Sequence, residues 1–432
     1  MARVESRRSI ALAAALVALA AAGPSGRAAE LAVQGRSNAN ASIAALGSFV
    51  AVTWGATAKD GTDIYAASSR DGGRTFGPPA RVSDAQSLAS LSGEQPPRVT
   101  LSPRAGQEPS IAVVWTARQP AGTRLLSAQS VDGGKSFGRS APLPGSGAAG
   151  NRGWESTTTD REGRVVAVWL DHRELAMPAG GSAPANHSGH EHGAASPQQR
   201  DGVARAQLSK LYFARLGSAE SAREITGGVC YCCKTAVAAG AGGAIYAAWR
   251  HVYPGNIRDI AFTMTRDGGR TFAPPVRVSE DRWVLDGCPE NGPSMAVDAA
   301  GAIHIVWPTL VAGPRPESEP TPALFYATSR DGRRFTPRQQ IPTVGFPRHP
   351  QIALGPRGPV VAWDEQGSGP RRVAVGRGTS DGKGGVRFVR QAITDPQSAT
   401  YPVLAATSDG VVAAWTSGSA GQTVLRTERL SE

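Results

Sequence analysis

One element recurs along this 432-residue chain and restricts its fold more than any other: a short apolar run ending in tryptophan. It occurs as Val50 to Trp54, Ile111 to Trp115, Val165 to Trp169, Ile245 to Trp249, Ile303 to Trp307, Val360 to Trp363 and Val411 to Trp415. Successive tryptophans stand 52 to 80 residues apart. A period of that length marks a supersecondary unit that buries its apolar faces by stacking on copies of itself.

Each unit carries the same neighbours. Upstream is a second β-rich run, such as Pro97 to Leu101 or Pro350 to Leu354. Downstream are two more, such as Asp63 to Ala67 then Ala80 to Ser83, or Asp259 to Thr263 then Val276 to Ser279. No stretch holds a helical period, and 52 Gly and 32 Pro supply dense turns. The expected fold class is therefore all-β, a seven-bladed β-propeller with four antiparallel strands per blade. The seventh unit ends near Arg429 without a fourth strand, while Leu31-Ala32-Val33-Gln34 precedes the first unit unpaired. That N-terminal strand is expected to close the last blade and remove an open edge.

Residues 1–28 read as an export signal, and 29–432 as a single propeller. Arg3, Arg7 and Arg8 precede an apolar run from Ile10 to Ala22 that is too short to span a membrane. Ser6-Arg7-Arg8-Ser9-Ile10 also resembles a twin-arginine signal, so both export routes stay open. A periplasmic or secreted protein without a membrane span is expected, a monomer in a compartment that permits disulfides. The net charge of +11 comes from scattered arginines with no basic run, which argues against nucleic acid. An anionic or glycan ligand, or a protein partner, fits that charge better.

A turn motif follows the third run of several units. It reads Ser69-Arg70-Asp71-Gly72-Gly73-Arg74-Thr75-Phe76, then Ser130 to Phe137 around Asp132, and Thr265 to Phe272 around Asp267. Weaker copies begin at Ser329, around Asp331, and at Ser380. The aspartate is expected to accept backbone N–H bonds while glycine takes positive φ, a structural role. The pattern S-x-D-x-G-x-[ST]-F resembles the Asp-box, or BNR repeat, of the sialidase superfamily. That resemblance implies a propeller across nearly the whole chain. A six-bladed ring, the sialidase number, is the alternative to seven, and the early Arg-Ile-Pro segment of sialidases is absent here.

Counting from the repeating tryptophan assigns polar residues to faces. Cys230 and Cys288 each lie 19 residues before a tryptophan, Trp249 and Trp307. Both are thus expected in blade-joining loops at one mouth of the central channel, with Cys232 and Cys233 beside Cys230. His349 falls in a later such loop, and His172 and His251 just after Trp169 and Trp249. An expanded loop, about 171–209, adds His187, His190 and His192. Only His304 falls inside a strand.

Three readings of the cysteines compete. One is an interblade Cys230–Cys288 disulfide. A second is a copper or zinc site drawing on Cys230, Cys232, Cys233, Cys288, His172, His187, His190, His192 and His251, since thiolate and imidazole suit those ions. The third is haem attachment at Cys230-x-x-Cys233-Lys234, disfavoured by Cys232 inside the motif. The leading function is an exported binding protein with a Cys/His-lined mouth, metal- or redox-linked. The sialidase resemblance implies the alternative, an exo-α-sialidase or related glycoside hydrolase. Its arginine clamp, Tyr–Glu nucleophile and Asp acid would come from a set including Asp171, Arg173, Glu290, Arg348 and Tyr401. The third reading is a non-catalytic docking scaffold.

Overall fold

In the computed structural model, each tryptophan run is the second strand of its own four-stranded antiparallel sheet, and there are seven such sheets. The structure describes residues 28–84, 88–175, 202–313, 318–382, 385–393 and 395–430. The six-bladed alternative is excluded by that count. Runs such as Val165–Asp171 are buried at every position, because neighbouring sheets cover both faces. This is why they read as continuous apolar stretches instead of alternating ones. The seven tryptophans of these runs are all fully buried.

The first strands line the centre: Ser37–Leu46, Arg98–Arg104, Arg152–Thr159, Ala236–Ala239, Ser294–Val297, Phe346–Gly355 and Ala399–Thr407. Each packs on the first strands of both neighbours, and the seventh returns to the first. Backbone N–H groups cross these seams. Val99 donates to Ser42 Oγ, Val237 to Ser156 Oγ and Ile352 to Ser294 Oγ. The ring is closed by Ala29–Leu31, which pairs with Gln422–Leu430 and sets Leu31 opposite Leu425. The closing strand is thus as expected, but it spans Ala29–Leu31 and not Leu31 to Gln34; after it the chain turns, with Asn38 bonding back to Val33.

A buried indole N–H needs an acceptor. Trp169 and Trp363 find it two residues on, at Asp171 and Glu365. Trp54 donates to Asn38, Trp307 to Asp281 and Trp415 to Asp395. Trp249 uses His251 Nδ1 at 3.3 Å. Trp115 alone among them has no partner in the described protein.

The aspartate turns have the expected architecture. Asp71 Oδ1 accepts from the backbone of Arg74 and Thr75, and Oδ2 from the Thr75 hydroxyl. Asp132 and Asp267 repeat this, and Asp331 accepts from the backbone of Arg333 and Arg334. The bond from Ser136 chiefly holds Asp132 well below the usual carboxylate range. Gly73 has φ +82° and presses on blade seven, where a Cβ would stand 2.7 Å from Val412. These turns therefore wedge blades together on the face away from the cysteines. His304 lies in its strand, bonded to the Tyr326 hydroxyl at 2.7 Å. No helix among the described residues is long and apolar enough to cross a membrane.

The indole accounting gives a stability test. Trp307→Phe should cost about 1–3 kcal/mol more than Trp115→Phe, because only the former strips a donor from a buried carboxylate. Equal losses in chemical denaturation would refute a role for these bonds.

Candidate functional site

The stretch from Gly228 to Lys234 joins the outer strand of blade three, Arg223–Thr226, to the inner strand of blade four. Backbone bonds fix both ends. Val252 N–H donates to Gly228 O, Cys230 N–H to Arg250 O, and Thr235 N–H to Trp154 O. Lys234 N–H donates to Glu94 Oε2 at 2.9 Å. Gly228 has φ +72°, and any Cβ there would meet His251 at 2.5 Å, so the loop turns inward only with glycine.

The turn aims three sulfurs at one point. Cys230 lies 3.9 Å from Cys232 and 3.7 Å from Cys233, and the last two are 4.0 Å apart. All three are buried under Val252 and the helix Gly202–Gln207, whose Ala206 and Val203 pack on them. Two donors face the sulfurs: Arg258 Nη1 is 3.3 Å from Cys230 Sγ, and Asn291 N–H is 3.4 Å from Cys233 Sγ. Contacts from the Cys232 and Cys233 thiols hold Cys230 well below the ordinary thiol range, helped by Arg258 and Arg250 against burial. Burial, with the Cys230 contact, pushes both Cys232 and Cys233 up. Of the three, Cys230 is the sulfur placed to lose its proton first.

That geometry fits a soft ion. Three sulfurs at these separations lie on a circle of radius about 2.2 Å, close to the ~2.3 Å of a zinc–thiolate bond. They form the one group of three or more metal-ligating side chains of this kind among the described residues.

The expected Cys230–Cys288 disulfide is not present: all four cysteines are free, Cys230 buried and Cys288 exposed. Equivalent repeat positions did not give equivalent directions, because Cys230 turns in to Cys232 and Cys233 while Cys288 stays at the rim. His251 is not in the cluster; its Nδ1 serves Trp249, and burial followed by Arg277 lowers it to about 4. His172 is buried against Trp154 at 5.3 Å, with Nε2 unpartnered, and burial lowers it to about 4 although the Asp171 and Cys230 charges oppose this. Both imidazoles are thus neutral at ordinary pH. His187, His190 and His192 lie outside the described residues.

The glycosidase set is differently disposed. Asp171 caps Trp169 and pairs with Arg152 and Arg173, which together hold it below its ordinary value although burial opposes them. Arg152 gives its other donors to the carbonyls of Thr123, Ala148, Ala149 and Gly150. Arg250 donates to those of Asn291, Arg258 and Pro308. Three arginines of the mouth are therefore committed to structure. Tyr401 packs on His349 with ring centroids 4.1 Å apart and planes tilted by 36°, and His349 Nδ1 is 2.6 Å from Asp364, which also pairs with Arg371. Arg348 and Glu290 lie in the same neighbourhood. Burial, then the Asp364 charge, raises the Tyr401 pKa, opposite to the need of a phenolate nucleophile.

Glu94 and Arg258 were not singled out by spacing, and Lys234 entered only through the haem-type motif. Lys234 reaches across the channel mouth, donating to Pro350 O at 3.0 Å, with Glu94 3.8 Å away. Deeper lies a polar channel of about 200 Å3 lined in part by Arg98, Lys234, Ser156 and Gln351. Arg98 Nε donates to Glu155 O, and Thr116 to Glu155 Oε2.

No protein-family profile and no curated protein matches the sequence. Among solved structures, an ulvan lyase aligns with TM-score 0.54 at 10% identity, over 92% of this chain and 94% of its own. The polysaccharide lyase Uly1 aligns with TM-score 0.52 at 11% identity, over 93% and 91%. The NanB sialidase of Streptococcus pneumoniae gives 0.47 at 9% identity, over 88% and 83%. The likeness to the two lyases is one of fold alone.

Burial raises Glu155 from 4.5 to about 7. Below the lower value both folded and unfolded chains hold the proton; between the two only the folded chain does, so stability falls as pH rises. Relative to wild type, Glu155→Gln should therefore gain up to about 3 kcal/mol between pH 4.5 and 7 and nothing further above. Parallel stability–pH profiles for the two proteins would contradict this.

Proposed function

We propose that this protein binds a thiophilic metal ion, copper(I) before zinc, through Cys230, Cys232 and Cys233 at the channel mouth. The observation that carries the reading is the sulfur triangle with sides of 3.7 to 4.0 Å, buried on every side. Soft thiolates select copper(I) and zinc. Zinc in structural sites takes four ligands, whereas this set offers three in a plane. Three thiolates around a monovalent ion carry a charge of about −2, which Arg258 and Arg250 are placed to offset.

The export expected from residues 1–28 sharpens the reading. In an oxidising compartment, adjacent free thiols form disulfides unless something holds them. A bound ion does so. The neutral His172, with its buried unpartnered Nε2, and the loop histidines His187, His190 and His192 are the candidate auxiliary ligands. The glycoside hydrolase alternative is weakened by the structural commitment of Arg152, Arg173 and Arg250.

Protein purified from its native compartment should carry about one copper per chain, with Cys230→Ser retaining none and Cys232→Ser or Cys233→Ser binding roughly 10–100-fold more weakly. Metal analysis and thiol counting decide it. Metal-free protein whose buried cysteines have paired as a disulfide would remove the proposal, and one zinc per chain would replace copper in it.

A further inference from the structure

Cys288 is chemically unlike the other three cysteines. It is exposed where they are buried, and it stands outside the group whose sulfurs are all within 4.8 Å of one another. Yet its loop is tied to that group from both sides. Before it, Leu285 O accepts from Nε of Arg258, the residue whose Nη1 faces Cys230 Sγ. After it, Asn291 N–H points at Cys233 Sγ. The Cys288 thiol neighbours Cys232 and adds, after burial and the Cys230 and Cys233 thiols, to what pushes that thiol up.

The tethers hold fast outside Cys288 and leave the segment between them spanning. Leu285 N–H bonds to Asn256 O, and Val284 pairs with Ile257. On the far side, Asn291 O takes two bonds from Arg250 and its side chain accepts from His349 N–H. Gly292 N–H donates to Glu94. Asp286 to Glu290 bridge these clamps, with Cys288 at the middle. An ion approaching the buried triangle meets helix Gly202–Gln207 and Val252 over it. The solvent-open thiol is on the Cys288 side.

We infer that Cys288 is the access ligand of the site, capturing a thiophilic ion from solvent or from a carrier and passing it to Cys232. The inference rests on the metal-binding reading above. The step is a ligand exchange with no change of oxidation state. The bond between the ion and Cys288 sulfur breaks as the bond to Cys232 sulfur forms. Cys232 loses its thiol proton and Cys288 takes one up, so charge and atoms balance without an oxidant or reductant. Exchange between neighbouring thiols replaces dissociation of a bare ion into a closed, dry site, which would be far slower. The same path run backwards releases the ion to an incoming thiol. Cys288 therefore sets the rate of loading and unloading, and the buried triangle sets the affinity.

The test uses the whole protein and copper(I) presented as its coloured bicinchoninate complex, with transfer followed by loss of colour. Cys288→Ser should still bind one ion per chain with affinity within a few-fold of wild type. Its loading, and its release to added glutathione, should each slow by roughly tenfold or more. Wild type alkylated at the exposed Cys288 with one equivalent of iodoacetamide should slow likewise, which covers a poorly folding variant. Loading at the wild-type rate in both would overturn the access role while leaving the buried site intact. Loss of the ion from Cys288→Ser as complete as from Cys230→Ser would overturn it too, making Cys288 a resident ligand. Failure of wild type to take copper(I) at all would instead strike the underlying metal-binding reading.

Discussion

The structure depends on the face-to-face burial of seven sheets that cannot stand alone. Four short strands expose two apolar faces, and only a neighbour on each side covers both. The tryptophan of each second strand is the largest piece of that burial. Removing such a side chain from water takes away roughly 200 Å2, on the order of 5 kcal/mol before conformational entropy is subtracted. Stacking alone leaves two open ends. Pairing Ala29–Leu31 with Gln422–Leu430 joins them, so the N-terminal strand holds the C-terminal blade and the stack becomes a ring.

Closure is also what makes a site. Inner strands that run alike around one axis deliver their preceding loops to one mouth. There Glu94 from the first crossover, Lys234 from the third, Asn291 from the fourth and Pro350 of the sixth blade meet across the axis. The cysteine loop is locked into this network at both ends, so its three thiols cannot relax apart. Concentrating sulfur in a dry pocket is unfavourable unless charge is offset, and two guanidiniums stand where that offset is needed. One of them, Arg250, is itself held by four carbonyl bonds from three residues. Rigidity of the ring thus becomes rigidity of the sulfur triangle.

Much of this was legible in the sequence because it repeats. Seven tryptophans gave seven blades, and the spacing from Trp249 and Trp307 gave Cys230 and Cys288 the same mouth. What the period could not give was direction. Cys230 and Cys288 hold equivalent places, yet one loop turns its cysteine into the core through Gly228 and the other leaves Cys288 exposed between Leu285 and Asn291. His251 and Asp171 looked like ligands or catalysts because both are polar and follow a tryptophan. Their position two residues on is that of the acceptor for the buried indole, a rule visible only once Trp169, Trp249 and Trp363 are compared. Arg258 carries no repeat signature, since its place depends on the side chain it faces across the loop.

The central claim is that three sulfurs of one loop hold a single ion. X-ray absorption at the metal edge of the purified, metal-loaded protein tests it most directly. Three sulfur scatterers at about 2.2–2.3 Å, with at most one nitrogen from an auxiliary imidazole beside them, are predicted. A shell of nitrogen and oxygen, or fewer than two sulfurs, would contradict the account.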